Sequence, residues 1–212
     1  MFLSITQFRQ AANISQQLAE RWYPHVISAC REFDISTPQR IAAFIAQVGH
    51  ESAGFSRLEE NFNYSVNGLI VTYPRHRIST EQAQALGRQP GEKKVPLERQ
   101  VAIANLVYGN RFGNNSADGW RFRGRGLKQI TFHDNYQNCG QVLGVNLVEQ
   151  PDLLLQDEYA ARSAGWFWAS HGCNALADAG DFIGLTQRIN GGTNGLSDRK
   201  SRHAIALGVL CP

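Results

Sequence analysis

Apolar residues recur along this chain at intervals of three and four, in short runs closed by glycine or proline, and seldom alternate singly. That spacing marks amphipathic helices and leaves little material for a sheet. Thr37-Pro38 is the clearest start: a hydroxyl N-cap, then a proline whose missing amide proton costs nothing in a first turn. Ile41, Phe44, Ile45 and Val48 form one stripe behind it, and Gly54 offers a stop. Upstream, Leu18, Trp22, Val26, Ile27, Cys30 and Phe33 repeat at helical spacing, with Asn13 as N-cap; Pro24 should kink or divide that segment. Downstream, helices are expected over 80–86 before Gly87, over 97–108 between Pro96 and Gly109, and over 157–170 before Gly172. Phe182, Leu185 and Ile189 mark another, and Ser197 caps a last one carrying Ile205 and Val209. Residues 121–131 are the best candidate for a short strand, although Gly124 and Gly126 break it. The expectation is a mainly α chain with long loops, one domain over 1–212, in which the polar, turn-rich stretch 64–96 is the candidate for a smaller lobe.

Hydrophobic residues make up 42% and charged residues 18% of the 212, so the chain has enough apolar material for a core and is not disordered. A net charge of +3 permits attraction to an anionic polymer without demanding nucleic acid, which is not expected as a partner. Arg9 and Gln10 interrupt the first ten residues, so a secretory leader is not expected. No stretch approaches the length of a membrane span, so no stable membrane insertion is expected either. Cys30, Cys139, Cys173 and Cys211 contain no Cys-x-x-Cys pair, which argues against a zinc ribbon or a thioredoxin-type site. Free buried thiols are the default, and a Cys139–Cys173 bridge stays open.

Glu51 carries the most weight. It follows Val48 by three positions and Phe44 by seven, which puts a carboxylate on the apolar face of a helix near its negative C-terminal pole. Desolvation and that pole would both favour the protonated form, as a general acid requires. A carboxylate at a fraying helix end, pointing to water, is the equal alternative on spacing alone. His50-Glu51 lacks the second histidine of a zinc protease helix, since Gly54 stands four residues after His50. Glu59 and Glu60 follow within ten residues, ahead of Asn61-Phe62-Asn63-Tyr64. A second carboxyl group is what glycoside hydrolysis needs, but chemistry alone does not choose between these two, and a solvated acidic turn is the plainer reading. Between Gly119 and Thr131, cations, aromatics and glycines interleave, ending with Gln129 and Thr131 two apart, on one face of an extended segment. A lining of a cleft, a patch for nucleic acid and an exposed basic hairpin all fit that run. Ile189-Asn190-Gly191-Gly192 is a turn that needs positive φ, in which Asn190 either caps a helix or faces a sugar.

Together these motifs resemble a known family. The segment Phe44-Ile45-Ala46-Gln47-Val48-Gly49-His50-Glu51-Ser52-Ala53-Gly54 resembles the catalytic helix of family 19 glycoside hydrolases. Gly124-Arg125-Gly126-Leu127-Lys128-Gln129-Ile130-Thr131, followed by Asn135-Tyr136, is similar to that family's Gly-Arg-Gly-x-x-Gln-x-Thr/Ser signature, and Ile189-Asn190-Gly191-Gly192 to its Asn-Gly-Gly turn. Within the family, the run Glu60-Asn61-Phe62-Asn63-Tyr64-Ser65 and the segment from Gln156 to Ala164 resemble endolysins of tailed phages of Gram-negative hosts. The resemblance implies a lysozyme-like, α-rich fold with a larger helical lobe and a smaller lobe flanking a substrate groove. It implies Glu51 as general acid, Glu60 as base and Thr131 as the hydroxyl that helps hold the attacking water. Gln129, Asn135 and Asn190 would line the sugar groove, Tyr64 and Arg125 are counted with them as substrate contacts, and the basic run 121–128 would attract the anionic wall. It further implies inversion at the anomeric carbon, peptidoglycan glycan strands as partner, a monomer, and no metal or organic cofactor. The chain would wait in the host cytoplasm and reach the periplasmic wall after holin-type release. Absence of the plant members' cysteine pattern favours peptidoglycan over chitin. A chitinase, a lytic transglycosylase and a non-catalytic wall-binding protein are the alternatives, and which glycosidic bond is cut stays open.

Overall fold

The computed structural model describes residues 3–211, which run as a chain of α-helices. These are α1 (Ile5–Ala12), α2 (Gln16–Glu32), α3 (Pro38–Glu51), α4 (Val66–Thr72), α5 (Thr80–Leu86), α6 (Leu97–Tyr108), α7 (His133–Leu143), α8 (Asp157–Ser170), α9 (Cys173–Asp178), α10 (Phe182–Asn190) and α11 (Leu196–Leu210). A 3-10 turn, Pro151–Leu155, precedes α8. No strand forms among the described residues. The 121–131 stretch makes only single bridges, Arg125 with Ile130 and Arg125 with Glu59, because its glycines turn the chain before a ladder can extend.

The strongest caps behave as their chemistry dictates. Thr37 Oγ1 accepts the Arg40 amide at 3.2 Å and Pro38 opens α3. α5, α6 and α8 have the bounds expected from their spacing. Other ends differ. Asn13 is not the N-cap of α2; it closes α1 in the left-handed conformation (φ 50°), and Ser15 caps α2. α1 escaped the reading because eight residues show barely two turns of periodicity. Pro24 does not divide α2, which runs unbroken from Gln16 to Glu32. Ser197 lies inside the first turn of α11, whose N-cap is Gly195 at φ 70°. α4, α7 and α9 were also not anticipated; α4 and α9 are seven and six residues long, too short to show a stripe.

Three apolar clusters organise these helices. The largest joins α1, α2, α3, α8, α10 and α11 around Trp22, Phe44, Phe55 and Trp168, with α11 laid along α3. A second gathers Phe62, Leu69, Ile78, Ala83, Val95, Ile103, Ala104 and Val107, so the smaller lobe takes in α6 and reaches past the 64–96 stretch. A third surrounds Tyr136 and Trp166 beneath α7. The groove opens where the loops between the first two clusters meet the 121–131 stretch.

All four cysteines are free thiols, which closes the question of a Cys139–Cys173 bridge. Burial pushes the Cys30 and Cys139 thiols up to about 12 and Cys173 to about 11, so they are inert apolar packing. No helix among the described residues is long and apolar enough to cross a membrane.

Candidate active site

The last turn of α3 delivers Glu51 to the groove, but not into the apolar surroundings its spacing predicts. Its Oε1 accepts from the Arg199 guanidinium of α11, and its Oε2 lies 3.7 Å from the Lys128 ammonium. Arg199 is 1% exposed and also donates to Gln47 Oε1, one turn back on α3, and to the Asn194 carbonyl at 3.2 Å. Lys128 is likewise buried and stacks over the Phe167 ring at 4.4 Å; burial lowers its pKa, against the pull of Glu51. Glu51 is therefore a carboxyl group set between two cations.

Glu60 is the desolvated one. Its backbone amide donates to the Gly124 carbonyl at 2.9 Å, and the Gly124 amide returns 3.2 Å to Oε2. Tyr108, at the end of α6, donates its hydroxyl to Oε1 at 2.8 Å. Burial raises the Glu60 pKa, and the bonds from Tyr108 and Gly124 and the charge of Arg123 oppose it without winning. A side chain at position 124 would sit 3.2 Å from Glu60 Oε2 and 3.1 Å from Gln129 Oε1, so glycine lets the loop lie against the carboxylate. Glu59 points differently: it pairs with Arg123, which packs over Trp120 at 4.0 Å. Geometry thus separates two glutamates that chemistry alone could not.

Glu51 and Glu60 face one cavity of about 600 Å³, together with Tyr64, Tyr108, Gln129, Thr131 and Asn190. Gln129 takes a left-handed conformation (φ 60°) and donates to the Gly126 carbonyl at 2.8 Å, while Thr131 Oγ1 donates to Gln129's carbonyl at 3.2 Å. Asn190 Nδ2 is buried with no protein partner, a donor aimed at nothing in the chain itself. Arg57, Asn61 and Asn63 complete the lining.

Two expected contacts lie elsewhere. Arg125 is 2% exposed and bound to the Arg121 carbonyl at 2.6 Å, to Tyr136 Oη at 2.9 Å and to Asp152 at 2.8 Å; it holds the loop together and does not face the groove. Asn135 is exposed on α7 and donates to the Thr131 carbonyl at 2.9 Å, bracing Thr131 without lining the cavity. The basic run is no surface patch either. Arg123, Arg125 and Lys128 are spent on internal partners, and only Arg121 is exposed. That removes the exposed-hairpin reading of this segment.

Arg199 and Tyr108 were not anticipated. Arg199 stands seven residues before Ala206, the other buried residue of α11, so a cation on a buried stripe was the available signal. Tyr108 showed only as an aromatic on the apolar face of its helix.

Tyr108→Phe tests the electrostatics. Losing the hydroxyl removes a bond that favours ionised Glu60, so its pKa should rise further. If ionised Glu60 is the base, the acidic limb of kcat/KM moves to higher pH and activity at acid pH falls severalfold, with little change on the alkaline side. Movement of the alkaline limb instead would make Glu60 the proton donor.

Comparison with known proteins bears on this geometry. A family model described as chitinase class I matches residues 102–184, the stretch with the 121–131 loop but not the two glutamates. A glycosyl hydrolase family 19 domain-containing protein of Haemophilus influenzae is 40% identical over 161 residues, covering 74% of each chain. Endochitinase CH5B of Phaseolus vulgaris is 43% identical over 137 residues, 64% of this chain but only 33% of that one. Among solved structures, chitinase C from Streptomyces griseus HUT6037 aligns with a TM-score of 0.61 at 19% identity, covering 98% of this chain and 92% of that one. A bacterial family 19 chitinase aligns with a TM-score of 0.63 at 21% identity, covering 98% and 94%. These structural likenesses speak to the α-rich fold.

Proposed function

This chain belongs to glycoside hydrolase family 19, and from that premise we propose that it is an endolysin-type enzyme hydrolysing β-1,4 bonds of the peptidoglycan glycan backbone. The observation that carries the proposal is the sharing of one polar cavity by Glu51 and Glu60.

In this reading Glu51 gives its proton to the leaving oxygen. Arg199 and Lys128 steady the carboxylate it becomes, lowering the barrier to release of that proton. Glu60 takes the proton of an attacking water, and its burial strengthens it as a base at any pH above its raised pKa. Thr131 orients the water; Gln129, Tyr64 and the unpartnered amide of Asn190 hold sugar groups. A lytic transglycosylase has no use for a second glutamate, so the presence of Glu60 in the cavity favours hydrolysis. The route to the wall proposed here is passage from the host cytoplasm through a holin-type pore.

A second reading, chitin as substrate, is favoured by the likeness to proteins such as the Phaseolus vulgaris endochitinase. One experiment separates the two. Purified sacculi and chitin oligomers are digested in parallel, and the products reduced with borohydride and weighed by mass spectrometry. Muropeptides with new reducing ends from sacculi support peptidoglycan and show which sugar carries the cut. Turnover of chitin oligomers with intact sacculi selects the chitinase, and anhydro-muramyl products would reject hydrolysis altogether. Proton NMR of the first products should show the inverted anomer.

A further inference from the structure

Beside the groove lies a second cavity of about 450 Å³, lined by Lys94, Val95, Pro96, Leu97, Gln100 and Trp120 together with Glu59, and sharing Glu60 and Asn61 with the first. A ligand that reaches Glu60 thus has a side chamber directly adjoining it. We propose that this chamber receives the peptide branch of a muramyl residue, and so selects peptide-bearing glycan over chitin; the proposal rests on the peptidoglycan reading.

The two cavities differ in chemistry. The groove presents amides and hydroxyls, as sugar rings require. The side chamber presents the hydrocarbon of Val95, Pro96, Leu97 and Trp120. Leu97 is 59% exposed, so its hydrocarbon is open to a ligand in the chamber. Its walls are built before any ligand arrives. Trp120 is clamped by Arg123, which packs on its ring at 4.0 Å and donates to its carbonyl at 2.7 Å. The Val95 amide donates to Asn63 Oδ1 at 2.9 Å, and its carbonyl accepts from buried Gln100 at 2.8 Å, which ties the chamber to the Asn63 that lines the groove.

Charge narrows the choice of ligand. Glu59 is neutralised by Arg123, while Lys94 is exposed and has no ion pair among the described residues. The chamber therefore offers an apolar wall with one free cation at its edge. A lactyl ether and an alanine methyl followed by a free carboxylate match that order; an unsubstituted N-acetylglucosamine polymer offers neither the branch nor the anion.

The test titrates the full chain with N-acetylmuramyl-L-alanyl-D-isoglutamine and, in parallel, with an N-acetylglucosamine tetramer, following amide, indole and methyl NMR signals. The muramyl dipeptide should move the Trp120 indole and Leu97 methyl signals saturably, and Lys94→Glu should weaken that binding about fivefold, the yield of one exposed charge contact. The ratio of kcat/KM on sacculi to that on peptide-stripped glycan strands should fall in step. Unmoved Trp120 and Leu97 signals, or equal affinity in Lys94→Glu, would overturn the chamber's assignment. Failure of the wild-type chain to release reducing ends from sacculi, with the titration intact, would instead overturn the catalytic reading.

Discussion

Glu51→Gln should lower kcat on peptidoglycan by about 10²–10⁴-fold, the usual worth of a positioned proton donor, and should also lower thermal stability. The second effect follows from Arg199. Arg199 is 1% exposed, and among the described residues Glu51 is its one ion-pair partner; Gln47 and the Asn194 carbonyl are neutral acceptors. A glutamine keeps the shape and one acceptor oxygen but leaves Arg199 and Lys128 facing each other across the site with no anion between them. A hydrogen bond to a buried charge is worth ~2 kcal/mol, so Tm should drop by about 4–8 °C. Reducing-end release measured beside circular dichroism melts separates the two losses. Turnover retained by a folded Glu51→Gln chain would remove Glu51 from the mechanism.

Glu60→Gln should cost activity on the same scale, about 10²–10⁴-fold, while raising Tm at neutral pH. Burial disfavours the charged form of Glu60, so its pKa in the folded chain lies above that in the unfolded one. Its contribution to stability is therefore full below the unfolded value and is lost as pH rises through the folded one. Glutamine carries no charge at any pH and escapes that loss. Its amide can still serve both neighbours, the oxygen accepting from Gly124 and the nitrogen donating to Tyr108 Oη. The gain should amount to a few degrees near neutrality and vanish toward pH 4, the unperturbed glutamate range. Melts across that pH range decide it, and a Tm difference independent of pH would contradict the assignment of Glu60 as the strained charge. The two glutamates thus differ in kind: Glu51 is set among cations, whereas Glu60 sits where burial disfavours its charge.

Much of this was legible from local chemistry. α3, α5, α6 and α8 start or stop at residues whose backbone preferences are strong, namely Thr37-Pro38, Gly87, Pro96 and Gly109. The carboxylate at the end of α3 stood out because helical spacing put it behind Phe44 and Val48. Its true surroundings did not, since they come from 148 residues away on α11 and from Lys128 in a loop, and no local pattern encodes such a meeting. The 121–131 stretch misled in the opposite way. Four cations in eight residues look like a surface patch, yet glycine turns fold Arg123, Arg125 and Lys128 inward onto Glu59, Asp152 and Glu51. Arg125 and Asn135 brace that stretch, holding the Arg121 and Thr131 carbonyls, and neither lines the cavity.

The span from Glu51 to Arg199 also sets the order in which the site is completed. α3 is made before α11, and closing so long a loop is entropically costly. Until α11 docks along α3, Glu51 lacks the arginine that orients it. Whatever loosens α11 from α3 therefore disturbs the site as well, although α11 supplies no residue to the cavity lining itself.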